Sequence, residues 1–441
     1  MTRIYPDYVY GAGPRTGCWW DETVSKQSRR AIVGEASVDV AIIGAGFTGL
    51  SAALHLAQDG VSVAVLEAET TGWGASGRNG GFCCLGGSMQ SDASLDRDFG
   101  VSGRIEFRQA EKAAVECVEA LLSAHDIDVD RHSQGETELA HRPKDMTALR
   151  AKARRINENY GVEPIIFGPE DLAGLGMNGP FFGGLTIPIG FALNPAKFAA
   201  GLAGAAEKAG ASIFERSPVI NMERLPRGHR LVTPSGNITA RHVVIATNGY
   251  SSEELPPELA GRYLPSQSNV LVTRPLANDE IMAQGWSSDQ MAFDSRNLLH
   301  YFRLMPDRRF LFGMRGGLLS SPPAEGRARA RVLRDFKRMF PAWADVDVPH
   351  NWSGMVCLSR RKLPFVGEID RKSGLWAGLC YHGNGVAMGT HSGALLAQLI
   401  QGKAPANYPP ASQSFLQRFP LGAARRALLP AAYAYYGLAD Y

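Results

Sequence analysis

Val38-Asp39-Val40-Ala41-Ile42-Ile43-Gly44-Ala45-Gly46-Phe47-Thr48-Gly49 runs on through Leu50 to Gln58 and closes with Val61-Ser62-Val63-Ala64-Val65-Leu66-Glu67. An apolar strand, Val38 to Ile43, feeds directly into three glycines. A helix from Thr48 to about Gln58 follows, and a second apolar strand, Val61 to Leu66, ends on an acid. Each part has a chemical reason. Gly44 allows the tight turn, Gly46 lets the backbone approach a pyrophosphate, and Gly49 lets the helix pack close on the strand. Phosphate sits well at a helix N-terminus, where free N–H groups and the dipole favour negative charge. Glu67 is placed to accept hydrogen bonds from ribose hydroxyls and to repel a 2′-phosphate. Strand, turn, helix, strand and terminal acid together predict a dinucleotide-binding unit, which the glycines alone would not.

Working outward, 441 residues suggest two or three domains with sizeable cores. Composition is that of a soluble globular protein, with 45% hydrophobic and 20% charged residues. A net charge of +3 gives no footing for a nucleic-acid partner. Met1 to Gly17 lacks the apolar core of a secretory signal. The most apolar stretch, Val38 to Ala57, is broken by its glycines and followed at once by a strand, so no membrane span is expected. The six cysteines, Cys18, Cys83, Cys84, Cys117, Cys357 and Cys380, show no CxxC or zinc spacing. Reduced thiols, a cytoplasmic location and no metal are the expectation.

Residues 1–33 read as an irregular lead-in whose Trp19-Trp20 packs on the body. After Glu67, Gly72-Trp73-Gly74-Ala75-Ser76-Gly77-Arg78-Asn79-Gly80-Gly81 is too rich in glycine for a helix or central strand. It reads as backbone brought close to a ligand, with Ser76, Arg78 and Asn79 supplying polar contacts. Helices are expected at 104–124 and 144–160, with a strand-like piece from Glu136 to Ala140 between them and a loop over 168–190. Asn194-Pro195 caps a helix that stops at Gly210. Strands near 212–222 and 242–246 are a second set of nucleotide-fold elements. Residues 251–353 read mostly as strands, including 268–273, 298–304 and 309–314, closed by a basic helix from Arg327 with a solvated face. Strand 375–379, a glycine turn at 381–385 and a helix from Val386 complete the pattern.

Four separated motifs resemble one family: Gly44 to Gly49 with Glu67, the Gly74 to Gly81 loop, Val243-Val244-Ile245-Ala246-Thr247-Asn248-Gly249, and Gly383-Asn384-Gly385-Val386-Ala387-Met388-Gly389 preceded by Leu363-Pro364-Phe365-Val366-Gly367. The chain resembles the FAD-dependent D-amino-acid oxidase/glycine oxidase superfamily over roughly residues 34–402. Its Gly-Ala-Ser-Gly-Arg-Asn-Gly-Gly loop is most similar to γ-glutamylputrescine oxidase-like amine oxidoreductases. The resemblance implies an α/β fold (α+β overall) in which a Rossmann-like FAD-binding domain (34–90, 190–250 and 354–405) carries an inserted antiparallel-sheet substrate domain (91–189 and 251–353). Residues 1–33 and 406–441 are terminal extensions. It implies non-covalent FAD. Gly44, Gly46 and Gly49 would meet the pyrophosphate and Glu67 the ribose. Ser76, Arg78, Asn79, Gly80 and Thr247 would lie along the cofactor, Val219 by the adenine, and Gly383, Gly385, Val386 and Met388 by the flavin dione. It also implies oxidation of a C–N bond in a small amine or amino acid by hydride transfer to flavin N5. The imine hydrolyses to a carbonyl compound plus ammonia or an amine, and dioxygen is reduced to hydrogen peroxide.

One stretch departs from the family. A Thr-Pro-Asp-like segment common in the superfamily reads Cys357-Leu358-Ser359-Arg360-Arg361-Lys362-Leu363-Pro364 here. That places Cys357 near the position where sarcosine-oxidase-type relatives attach flavin, although the register is off by a couple of residues. On the substrate side, Arg303 is the first candidate to hold a carboxylate, with Arg315 and Arg361 behind it. Tyr301 is the candidate for the amine site, and His382 for a place beside the flavin. Competing readings are a dehydrogenase of the same fold that passes electrons to a quinone or carrier protein, a pyridine-nucleotide-disulfide reductase, and a non-catalytic flavin binder. The disulfide reductase would need a second GxGxxG and a spaced cysteine pair, and the sequence has neither. The sequence names neither the substrate nor the oligomeric state.

Overall fold

In the computed structural model, which describes residues 3–25, 27–317 and 321–440, the quoted stretch is the middle of an eight-stranded sheet. Strand Gly34–Ile43 pairs in parallel with Val63–Leu66 on one side and Gly236–Ile245 on the other. The path continues outward to Ser212–Phe214 at one edge. At the other it passes through Leu375–Leu379 to Phe365–Asp370, and the hairpin strands Asn221–Arg224 and His229–Val232 branch from Gly236–Ile245. Both faces of this sheet are covered, which is why its strands are continuously apolar rather than alternating. The two-residue period still sorts the side chains. Val40, Ile42, Val63 and Val65 join one core with the helices, while Ala41, Ala64, Leu66 and Val243 join a second core on the far face.

Helix Phe47–Gln58 packs on the first face between helices Pro195–Lys208 and Ala387–Ile400. Small residues set the distances. A Cβ added at Gly49 would sit 2.0 Å from the Gly44 carbonyl oxygen. One added at Gly393 would clash with the Thr48 carbonyl, so only glycine lets these backbones meet.

The second sheet also has eight strands, in the order His350–Ser359, Tyr263–Val272, Phe310–Arg315, His300–Leu304, Met291–Asp294, Glu136–Leu139, Gly184–Ile187 and Ile165–Phe167. It is antiparallel except where Met291–Asp294 lies parallel to Glu136–Leu139, the seam between the two inserted segments. The strand His350–Ser359 runs the whole length of Tyr263–Val272. The second sheet therefore extends past residue 354, where the sequence suggested a return to the first domain, and the stretch 168–190 read as a loop contributes Gly184–Ile187. One face is an aromatic core of Trp286, Phe302, Phe310, Phe312, Phe336, Phe340 and Trp343, covered by helix Pro322–Met339. The other face looks toward the first sheet.

The lead-in is tied down. Arg15 donates to the Trp73 carbonyl at 2.6 Å and pairs with Asp21, and Trp20 Nε1 donates to the Asn79 carbonyl at 2.8 Å. These bonds buttress the 72–81 loop from behind. At the other end, buried Arg425 pairs bidentately with Glu253 and donates to the Tyr263 carbonyl. Helix Asp92–Ala124 starts earlier than the expected 104 and is bent at Gly100 (φ 73°). No helix among the described residues is long and apolar enough to cross a membrane.

Candidate active site

A cavity of about 1000 Å³ lies between the two sheets. Its wall includes Glu67 and Val219 from the first sheet, the Gly44–Gly46 turn, the Trp73–Gly80 loop, Thr247, and Gly383 to Val386. From the second sheet come Ser268, Val270, Phe293, Tyr301 and Arg315.

The end formed by the first sheet is shaped by close backbone approaches. Gly44 has φ 107° with the Ala246 carbonyl 3.0 Å from where a Cβ would be. A Cβ at Gly46 would lie 2.8 Å from Ser76 Oγ, and that hydroxyl accepts from Phe47 N–H at 3.0 Å. Ser76 thus ties the glycine loop to the start of the helix. Glu67 is fixed by two backbone donors, Ala45 N–H to Oε2 at 2.8 Å and Glu69 N–H to Oε1 at 3.0 Å. Burial raises its pKa against those bonds, and each oxygen retains acceptor capacity for a further partner.

Three polar donors in this wall are buried without a hydrogen-bond partner: Arg78 Nη2, Trp73 Nε1 and the Tyr250 hydroxyl. Arg78 is otherwise clamped, with Nε donating to the Trp73 carbonyl at 2.9 Å and its guanidinium lying over Trp73 and Tyr250. Buried donors left unsatisfied cost free energy. Their convergence on one cavity, beside a helix N-terminus and a turn that excludes side chains, fits an elongated acceptor-rich ligand such as a dinucleotide.

Toward the second sheet, Tyr301 lies flat between glycines. A Cβ at its cross-strand partner Gly313, or at Gly80, would run into the ring. Its hydroxyl is 3.0 Å from Ser268 Oγ, and Phe82 meets the ring edge-on at 5.7 Å. Burial raises the Tyr301 pKa, so the phenol stays protonated. Arg315 Nη2 donates to the His382 carbonyl at 3.0 Å. Gly383 (φ 109°) makes room for that approach, since a Cβ there would lie 2.7 Å from Nη2. Burial lowers the Arg315 pKa against weaker pulls that include Glu136, and among the described residues no carboxylate lies within ion-pair distance of it.

Three of the expected site residues, Arg303, His382 and Arg361, do not line the cavity. Arg303 is buried outside the cavity, donating to the Leu193 carbonyl at 2.9 Å and facing His132 Nε2 at 3.0 Å, between Trp20 and Phe82. The antiparallel register explains this. Arg303 pairs with Leu311, whereas Arg315 lies at the opposite end of the same strand pair, by the Gly383 turn. His382 is buried behind that turn. Its Nδ1 meets the Gly87 carbonyl at 3.0 Å, Ser359 N–H donates to Nε2 at 3.1 Å, and burial holds its pKa down to about 4. It is a neutral brace between three segments. Arg361 pairs with Asp98 instead of reaching the cavity.

Among the cofactor candidates, Gly49 and Met388 do not reach the cavity. Gly49 faces Gly44, and Met388 packs against Gly87. Asn79 spends its side chain on its own loop, donating to the Ala75 and Ser76 carbonyls and accepting from Gly81 N–H. Thr247, whose hydroxyl meets Ser251 Oγ at 2.7 Å, lines the wall. Cys357 also lines the wall, with its Sγ 3.6 Å from Cys380 Sγ. Glu136, which the sequence shows only as part of a strand, lines the same cavity. Its face on Glu136–Leu139 also carries Glu138, and an acid repeated at the two-residue period is the signal that was available.

Comparison with known proteins agrees with this geometry. The profile of the family described as DAO, FAD dependent oxidoreductase, matches residues 39–399. The chain is 32% identical to a probable oxidoreductase, OrdL, of Rhizobium meliloti (strain 1021), over 96% of this chain and 97% of that one. It is 29% identical to the gamma-glutamylputrescine oxidoreductase of Escherichia coli (strain K12), over 83% of this chain and 84% of that one. Among solved structures, glycine oxidase from Geobacillus kaustophilus superposes with a TM-score of 0.70 at 22% identity. That superposition covers 86% of this chain and 99% of the other, a likeness of fold.

Proposed function

We propose that this chain, which belongs to the DAO family of FAD-dependent oxidoreductases, oxidises the C–N bond of a small amine or amino acid and passes the electrons to dioxygen. The observation that carries the reading is Arg315, a half-buried guanidinium with no carboxylate within ion-pair distance among the described residues, lining the cavity beside Tyr301 and the Gly383 turn. A substrate carboxylate would complete that site with a charge-assisted pair in a region shielded from water.

FAD, when bound, supplies the two-electron acceptor for hydride from the carbon next to nitrogen. Glu67, the Gly44–Gly46 turn, Ser76, Arg78 and Thr247 would hold its phosphate and ribose groups, and Gly383 to Val386 the neighbourhood of the flavin. Tyr301, braced by Ser268, Gly313 and Gly80, forms a rigid wall that orients the substrate. Its protonated hydroxyl can donate to a carboxylate oxygen or accept from an amine N–H. Phe82, Val270, Phe293 and Leu299 keep the surroundings apolar, which favours the neutral amine needed for hydride loss. The relatives named gamma-glutamylputrescine oxidoreductase and glycine oxidase support a C–N substrate. The six free cysteines accord with the cytoplasm as the proposed location.

The test is anaerobic titration of the purified, flavin-loaded protein with a panel of amines and amino acids, following loss of flavin absorbance, then peroxide release on admitting air. Bleaching by an amine followed by peroxide is expected. Bleaching by a hydroxy acid or polyol and by no amine refutes the reading. Bleaching by an amine without peroxide refutes dioxygen as acceptor.

A further inference from the structure

Glu136 and Glu138 share one face of the strand Glu136–Leu139, yet they meet different fates. Glu138 is neutralised by Lys152 at 2.7 Å, near the surface. Glu136 is partly buried, lines the cavity, and has no cation within ion-pair distance among the described residues. Its one side-chain partner is the Cys84 thiol, itself held by Asn384 Nδ2 at 3.3 Å. The strands on either side place Ile187 and Phe293 in the same wall, so the carboxyl is set in apolar surroundings. A carboxylate so placed is costly unless something cationic meets it. Arg315 and Lys152 both act on it electrostatically, but neither comes within ion-pair distance: Arg315 gives its hydrogen bond to the His382 carbonyl and Lys152 pairs with Glu138. The cavity therefore carries two charges of opposite sign that feel each other without a close pair, a guanidinium by the Gly383 turn and a carboxylate on the inserted strand, each with room for a ligand group of opposite charge.

We infer that Glu136 is a cation-binding residue of the substrate cavity, holding a second, protonated amino group of a substrate whose other nitrogen is oxidised. The substrate class is then an amine or amino acid bearing an additional ammonium on a short chain, as in diamines, diamino acids and their N-linked derivatives. This rests on the amine-oxidising reading above and narrows it. Bulk and hydrophobicity alone discriminate weakly between similar chains, whereas a buried charge left unpaired discriminates strongly.

The test uses achiral probes that share a carboxylate and a reacting nitrogen and differ at one end. These are N-alkylglycines with three- to five-carbon arms ending in methyl or in ammonium. Binding to the flavin-loaded protein is measured by calorimetry without oxygen at pH 8, where a carboxyl raised to about 7 by burial is ionised. The wild type is expected to bind at least one ammonium-ended arm tenfold or more tightly than its methyl counterpart. Glu136→Gln should erase that preference while leaving the methyl-ended probes within about twofold, and Glu136→Asp should keep part of it. The inference is overturned if the wild type shows no preference, if Glu136→Gln retains it, or if Glu136→Gln weakens both sets alike, which would put Glu136 at the shared nitrogen. The wild-type preference stands as a test even if the glutamine variant does not fold. Failure of the amine reading itself is seen separately, as absence of flavin bleaching by any probe that binds.

Discussion

Replacing Gly49 by alanine tests the tightest contact in the dinucleotide unit. The added Cβ would lie 2.0 Å from the Gly44 carbonyl oxygen and 3.1 Å from Ile42 Cγ2, against the 3.4 Å at which ordinary contact begins. The helix Phe47–Gln58 must therefore retreat from the strand by about 1.4 Å, or the turn must open. Neither is easy. The turn is held by Gly44 N–H to the Leu66 carbonyl at 2.9 Å and by Ala45 N–H to Glu67, and the helix is backed by Gly393 at the closely packed Ala387–Ile400 helix. Overpacking a rigid core costs about 1–3 kcal/mol and sometimes more. A clash onto backbone sets the expectation at about 3 kcal/mol or above. The control is Gly204→Ala, in helix Pro195–Lys208, where a Cβ meets nothing within 4 Å. That change should be neutral or stabilise by up to about 1 kcal/mol. Urea unfolding gives the stabilities, and the ratio of flavin to protein absorbance gives cofactor retention. Gly49→Ala should lose both, because moving the helix start would also withdraw the N–H groups proposed to hold the phosphates. A Gly49→Ala protein that retains full flavin and unfolds within about 1 kcal/mol of wild type would refute the packing argument.

The remaining predictions address charge and cofactor. Burial holds His382 and His391 neutral with pKa values of about 4, and His132 at about 3. The folded protein thus binds fewer protons than the unfolded one below pH 6.5. Their stabilisation is complete above 6.5 and is lost as pH falls toward 4, by about 3 kcal/mol for His382 at 1.36 kcal/mol per unit. Urea midpoints at pH 7 and 4.5 should show this, with a shallower slope in His382→Gln; an unchanged slope in that variant would refute it. Arg315→Leu should raise the half-saturation for amino-acid bleaching by about a hundredfold, the effect of losing roughly 3 kcal/mol of buried charge pairing, with flavin content retained; a change under threefold contradicts the carboxylate role. Trichloroacetic acid should leave the flavin in the supernatant, and a yellow pellet would instead indicate a covalent link, with Cys357 the residue to replace first.

The parts that were legible in the sequence are those whose contacts are local. Gly44, Gly46, Gly49 and Glu67 lie within one strand–helix–strand unit, so spacing alone places them together, and the alternation of Val40, Ala41 and Ile42 between two cores follows from the strand period. The loop at Gly74–Gly81 was legible for the same reason, since glycine density marks close backbone approach wherever it occurs. The substrate end was less legible. Tyr301 is legible as an aromatic on a sheet strand, which has only two faces to choose from, and its face lines the cavity. Arg303 stands first in the sequence reading, yet the structure buries it outside the cavity and puts Arg315 in the cavity wall.

The sequence by itself determined the dinucleotide unit and its apolar strands, because those follow from steric and hydrogen-bonding rules acting within about thirty residues. Only the tertiary structure decided which charges face the cavity. Arg303 and Arg315 sit on adjacent antiparallel strands, and the register Tyr301 to Gly313 sends one behind Phe82 and the other to the Gly383 turn. Glu136 and Glu138 share a strand face, and only the neighbouring Lys152 leaves one paired and the other not. The hairpin register is itself short-range, but what meets each arginine is not: His132 and Leu193 reach Arg303 from 171 and 110 residues away and His382 reaches Arg315 from 67, and no local pattern encodes those meetings.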